Sequence, residues 1–379
     1  MKTAILTFIR AYNHGAVLQC YALHKKLKDL GVDNEVLDYY PAYFRKVYNL
    51  ETIRKWRWFP GSYFKRTLPY LKMRLRLSKR NKGFDHFIRK NIQLSSKQYH
   101  SLEDISKEEF LYDMFVVGSD QVWSHIWTEF DPVFFLDFPA ARKSRKMSYA
   151  ASFGFSTVPE ELKDEYQRRL SNWDAYSVRE ESGQKILSQL LGVQSDCCCD
   201  PTLLLTREDW SAVAGKPVRR RPYILLYYVN GNRVLLEHAK KLAEKENLDI
   251  ITLTSICTYE HLMENHKDIP SAKHMASGAP DDFLQLISQA KYVLTDSFHG
   301  TVFSILFHRK FKVLLNWKNH TNNRAAELLE RLSLSERALD QGIEGIDEEI
   351  SWSYVDDQLQ EYRKQSVDYL QKQCGNEAV

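Results

Sequence analysis

Short apolar runs of Val, Ile, Leu, Phe and Tyr alternate with amphipathic stretches of helical period along nearly the whole chain, a pattern that fits an α/β sheet of mostly parallel strands. Thr3 to Phe8 reads as the first strand. Ala16, Cys20, Leu23, Leu27 and Leu30 then recur every three or four residues, marking a helix that Gly31 ends. Glu35 to Tyr39, Met114 to Val117, Lys146 to Ala150 and Ala175 to Val178 supply further strands, and Glu181 to Leu190 a helix. A second series follows: Tyr223 to Val229, Asp249 to Thr254, Tyr292 to Thr295 and Lys312 to Leu315 as strands, with helices at Val234 to Asn247, Asp281 to Ala290 and Thr301 to Phe307. The amphipathic stretch Tyr354 to Gln371 is long enough to cross back onto the first unit.

With 379 residues and 44% hydrophobic content, the chain can bury a core in each of two or three domains. The expected division is 1–195 with a basic aromatic insertion at about 41–90, then 196–350, then a terminal helix at 351–379. Asp200-Pro201 and Arg219-Arg220-Arg221 punctuate the boundary region. No apolar stretch reaches the roughly 18 residues needed to span a bilayer, and Met1-Lys2-Thr3 runs straight into a strand, so the expected location is cytoplasmic. Cys197-Cys198-Cys199 lacks zinc-knuckle or disulfide-framework spacing and reads as buried reduced thiols, with no metal site expected.

The net charge of +4 is unevenly spread: Arg54 to Lys82 holds eleven Lys or Arg and no acid, interleaved with Trp56, Trp58, Phe59, Tyr63, Phe64 and Tyr70. Three readings stand: helices packing their aromatics inward, contact with an anionic membrane surface, or nucleic acid, the last without any accompanying motif.

Loops after strands carry the chemistry in open α/β sheets. Ser297-Phe298-His299-Gly300 joins a strand to an apolar helix and sets an imidazole beside unpaired helix NH groups, either as a structural cap or as a catalytic group. Asn13 and Gly15, in the loop from Arg10 through Tyr12 and His14, suit an anion or a hydroxyl, or simple helix entry. Gly118-Ser119-Asp120-Gln121-Val122-Trp123 groups a hydroxyl, a carboxylate, an amide and an aromatic face that suit a sugar, or forms a turn with a core Trp. Arg179 offers a planar fork for carboxylate or phosphate, or pairs with Glu180 or Glu181.

Asn13 to Gln19, Gly118 to Trp123, Ser148 to Gly154, Ser177 to Glu180, Asp200 to Leu204 and Thr295 to Gly300, in this order, resemble the polysaccharide pyruvyl transferase family from residue 3 to roughly residue 335. The resemblance implies two Rossmann-like domains facing a cleft, GT-B-like, with the C-terminal helix returning to the first domain. The first domain then serves the acceptor and the second the donor. It implies transfer of pyruvate from phosphoenolpyruvate onto two hydroxyls of a sugar, in a polysaccharide or a lipid-linked oligosaccharide, as a cyclic ketal. Phosphoenolpyruvate is then a co-substrate, and no cofactor is implied. His299 falls on the family's general acid and Arg179 on its donor-binding arginine. Ser297 stands where some members carry a second arginine; Arg324 is the expected substitute, with Lys318 as the alternative. Ser297 and Gly300 complete the expected donor side, and Asn13, Gly15, Ser119 and Gln121 the acceptor side, with Asp120 as the acceptor's base. A lipid-linked acceptor would give segment 54–82 a role at the inner membrane face. The rival readings are a glycosyltransferase using a nucleotide sugar and a non-catalytic glycan-binding protein.

Overall fold

The computed structural model describes residues 1–48, 63–216, 221–229, 233–254, 273–274, 278–315, 323–339 and 342–375. Arg54 to Phe59, Lys318 and the pair Arg219-Arg220 lie outside the described residues, as do the side chains of Tyr63, Phe64 and Tyr70.

Two five-stranded parallel sheets carry the molecule. The first contains β1 (Lys2–Leu6), β2 (Asp33–Tyr39), β3 (Leu94–Tyr99), β4 (Met114–Val117) and β5 (Arg145–Ser148), ordered 3-2-1-4-5. A two-stranded sheet, β6 (Ser177–Val178) with β7 (Asp196–Cys197), follows. The second large sheet contains β8 (Tyr223–Tyr228), β9 (Asp249–Thr254), β10 (Lys273–His274), β11 (Tyr292–Thr295) and β12 (Lys310–Val313), ordered 10-9-8-11-12. The second order repeats the first with each strand's counterpart in place. Every residue of β4 and β8 is buried, as expected of parallel strands covered on both faces.

The edge strands β3 and β10, neither expected from the sequence, and one sheet boundary differ from the sequence reading. β3, Leu-Ser-Ser-Lys-Gln-Tyr, is a polar edge strand whose middle three residues are exposed, so no apolar run marked it. Ala175 to Val178 was expected as a continuation of the first sheet; only isolated bridges, Met147 to Ala175 and Ala151 to Val178, join it there. The ladder is interrupted at Ala150, whose φ of 46° bends the chain out of the strand conformation.

The helix Trp352–Cys374 returns to the first unit. The Tyr369 hydroxyl donates to the Ser148 carbonyl at 2.8 Å, and the Cys199 NH donates to Ser366 Oγ at 2.9 Å. One continuous apolar core takes in Ile5 and Val116 of the first sheet, Leu225 and Val293 of the second, and Leu359 and Leu370 of this helix. At the seam between units His14 is fully buried, its ring 5.1 Å from that of Phe283 at an interplanar angle of 30°. Its Nε2 lies 3.1 Å from the Gly278 carbonyl and its Nδ1 3.4 Å from the Tyr227 hydroxyl. A neutral ring that donates from Nε2 and accepts at Nδ1 satisfies both. Among the described residues no helix is long and apolar enough to cross a membrane.

Candidate active site

The loops leaving β4, β6 and β11 converge on one buried carboxylate, Asp200. Its Oδ1 accepts from the Thr202 NH at 3.0 Å and the Thr202 hydroxyl at 2.6 Å, because Asp200 caps a short turn that Pro201 opens. Its Oδ2 accepts from Arg179 Nη1 at 2.8 Å and from the Ser119 hydroxyl at 3.3 Å, and lies 3.7 Å from His299 Nε2. Burial alone would raise its pKa, but His299 and Arg179, with the Thr202 bond, hold it well below the usual carboxylate range.

His299 is the second residue of the helix Phe298–Leu306, whose N-cap Ser297 accepts the Gly300 NH at 3.3 Å. The ring is 8% exposed, so it is enclosed without being sealed. Arg179, the residue after β6, is surrounded by acids: Nε donates to Glu180 Oε1 at 3.2 Å, and Nη2 lies 3.6 Å from Asp120 Oδ1. Burial disfavours its charge, but Glu180, Asp200 and Asp120 together raise its pKa. Arg179 therefore pairs with Glu180, and it also borders a cavity. Two buried side-chain nitrogens at this junction, Arg179 Nη2 and His299 Nε2, have no hydrogen-bond partner among the described residues.

The cavity, ≈ 480 Å³, is bordered by Asp200, Phe298 and Arg179 on one side and by Arg324, Glu327 and Arg331 of the helix Asn323–Arg331 on the other. Phe298 lies between two guanidiniums, 5.0 Å from Arg179 and 5.7 Å from Arg324, and presents its ring face to cations. Arg324 is 4.0 Å from Asp120 and 3.8 Å from Glu180. Burial, followed by repulsion from Arg179, pushes its pKa down to about 10, so an anionic ligand would relieve a crowding of positive charge.

The sequence-predicted donor residues His299, Arg179 and Arg324 are thus brought together. Ser297, His299 and Asp120 are not among the cavity-lining residues, and the Ser297 hydroxyl serves the helix cap; Gly300 packs tightly against Thr295 and Tyr227. Of the acceptor residues, Asn13 caps the helix His14–Asp29 by accepting from the Gly15 and Ala16 NH groups, and Gly15 backs the His299 ring. Ser119 is fully buried, with its hydroxyl donating to the Ala150 carbonyl at 2.8 Å, and cannot meet a ligand from solvent. Gln121 is half-buried beside Gly154, and Asp120 stands between Arg179 and Arg324. Trp123, expected either to face a sugar or to sit in the core, is fully buried against Phe153 and Trp173. Arg10 is bound to Asp38 and Asp85.

Sequence reasoning did not assign site roles to Asp200, Phe298 and Glu327. Asp200 reads in the sequence as part of the Asp200-Pro201 punctuation of the domain boundary, and the one available signal is its place within a motif of the family.

A sequence model of the polysaccharide pyruvyl transferase family matches residues 13–318. No curated protein sequence matches the chain. A structure of S. aureus MnaA with UDP superposes with a TM-score of 0.54 at 11% identity, covering 99% of this chain and 97% of that one. The UDP-N-acetylglucosamine 2-epimerase of Rickettsia bellii does so with a TM-score of 0.50 at 13% identity, covering 98% and 95%. At these identities the likeness is one of fold, two α/β units of GT-B type with a cleft between them.

Proposed function

Because the chain belongs to the polysaccharide pyruvyl transferase family, we propose that it moves pyruvate from phosphoenolpyruvate onto two hydroxyls of a sugar, closing a cyclic ketal. The observation that supports this most directly is a pair of buried nitrogens without hydrogen-bond partners among the described residues: Arg179 Nη2, on a residue that lines a cation-rich cavity, and His299 Nε2, 3.7 Å from the cavity-lining Asp200. A buried donor without a partner costs free energy that an incoming oxygen anion recovers.

The donor carries a carboxylate and a phosphate that need cations, and a methylene carbon that needs a proton. In this reading Arg179 and Arg324 receive the anionic groups beside Phe298. His299 supplies the proton, which leaves an oxocarbenium-like C2 open to attack. Asp120, between the two guanidiniums, takes the proton of the attacking hydroxyl. Phosphoenolpyruvate is a co-substrate, and we assign no resident cofactor. The acceptor is a sugar of a polysaccharide or of a lipid-linked oligosaccharide. For the second case the helix Tyr63–Asn91 presents exposed Leu71 and Leu75 beside Arg74 and Arg76, a face suited to an anionic bilayer. Salt-sensitive binding to phosphatidylserine vesicles, absent from neutral ones, tests that contact.

The test of the reaction is incubation of purified protein with phosphoenolpyruvate and a panel of glycosides, following acceptor mass and phosphate together. A product heavier by one pyruvylidene group, formed with equimolar phosphate, is expected. Turnover of a nucleotide sugar with no use of phosphoenolpyruvate would replace this reading with glycosyl transfer.

A further inference from the structure

We propose that Glu327 is the acid that hands a proton to the departing phosphate, within an anion subsite it shares with Lys185, Arg324 and Arg331. The inference rests on the pyruvyl-transfer reading and adds the group that serves its second half. On the helix Asn323–Arg331, Glu327 follows Arg324 by three residues and precedes Arg331 by four, a spacing that stacks all three on one face. That face and Lys185 of the helix Glu181–Leu191 border the same cavity. Arg331 is held there, 3.8 Å from Glu181 and with its guanidinium 4.4 Å from the Tyr362 ring centroid. Glu327 thus shares one cavity wall with three cations, while its near neighbours include two acids, Glu180 and Glu181, together with Arg331.

Burial beside two acids favours the neutral form of this carboxyl. Burial, then Glu180 and Glu181, push Glu327 up to about 7, with the Glu181 NH and Arg331 pulling the other way. A protonated Glu327 removes a negative charge from the subsite and supplies an O–H donor at neutral pH.

Pyruvyl transfer needs protons at two positions. In the first half an acceptor hydroxyl oxygen bonds to C2 and His299 protonates C3. The hydroxyl proton passes to Asp120 and returns through solvent to His299, leaving a tetrahedral adduct that still carries phosphate. In the second half the C2–O bond to phosphate breaks while Glu327 protonates the bridging oxygen. Inorganic phosphate leaves, the second hydroxyl bonds to C2, and its proton restores Glu327.

The experiment compares wild type, Glu327→Gln and Glu327→Asp in single turnovers with phosphoenolpyruvate and an acceptor. Gln keeps the shape and can still accept the Glu181 NH but has no acidic proton. General acids contribute roughly 10²- to 10⁴-fold, so Glu327→Gln should slow phosphate release by at least about 100-fold. The acceptor adduct bearing both pyruvyl carbon and phosphate should accumulate. Wild-type turnover should fall as pH rises through about 7. Read on phosphate release from the accumulated adduct, a step His299 does not serve, that alkaline limb should vanish in the Gln variant and persist, at lower rate, in the Asp variant. Wild-type rate and limb in Glu327→Gln, or an Asp variant that behaves as the Gln one, overturns the assignment. A wild type that consumes no phosphoenolpyruvate removes the pyruvyl-transfer reading itself, an outcome separable from the others.

Discussion

Gly15 and the His299 ring meet across the seam so closely that a Cβ on residue 15 would stand 2.0 Å from Nδ1 and 2.5 Å from Cε1 and Cγ. The first helix of one unit therefore forms the seat of the imidazole carried by the other. Because the ring is enclosed, it cannot make room without moving. Gly15→Ala should displace it by about 1 Å, and misplacement on that scale costs on the order of 100-fold in rate. Activity lost with the thermal midpoint nearly unchanged is the expected result; an active Gly15→Ala enzyme would show that the ring's seat is unimportant.

Asp200 anchors the charge cluster, so Asp200→Asn should leave Arg179 undercompensated and destabilise the fold by about 3–5 kcal/mol. The sign with pH follows from its depressed native pKa. Its contribution is complete above the unfolded value of about 3.9 and is lost as pH falls below it. Urea titrations at pH 7 and at acid pH should converge for wild type and variant as the acid limb is entered.

His14 gives a second and separate pH dependence. Burial first, then the charge of Arg80, lower it to about 3, against an ordinary value of 6.5. Between those values the unfolded chain binds the proton and the folded one does not, so stability falls as pH drops from about 6.5 towards 3. The slope approaches about 1.4 kcal/mol per pH unit. Comparing denaturant midpoints at pH 7 and pH 5 should reveal this slope in wild type and its loss in His14→Gln.

Arg324→Met should raise the KM for phosphoenolpyruvate by roughly 10-fold or more, since a charge-assisted contact is worth about 1.5–3 kcal/mol. The acceptor KM should change little. A variant with unchanged donor KM would move the donor away from Phe298 and Arg324.

Much of this candidate site is legible in the sequence. The His299 junction stood out because strand, cap and apolar helix are all local signals, and Arg179 because it follows a short buried strand. Asp200 was not assigned, since its bonds to Arg179 and Ser119 span 21 and 81 residues and no local pattern encodes them. Glu327 sits on a helix whose register could be read, but its surroundings come from a different helix far away in sequence. Trp123 and Ser119 showed the reverse: residue types suited to a sugar that burial withdraws from solvent.

The bond from Tyr369 to the Ser148 carbonyl closes a separation of 221 residues. Contacts between such distant segments form late, after the entropy of the intervening loop has been given up. Refolding should therefore end with docking of the helix Trp352–Cys374 over Tyr149 and Cys199. With that helix undocked, the first unit would expose the apolar flank around Tyr149 and Cys199, a surface open to self-association.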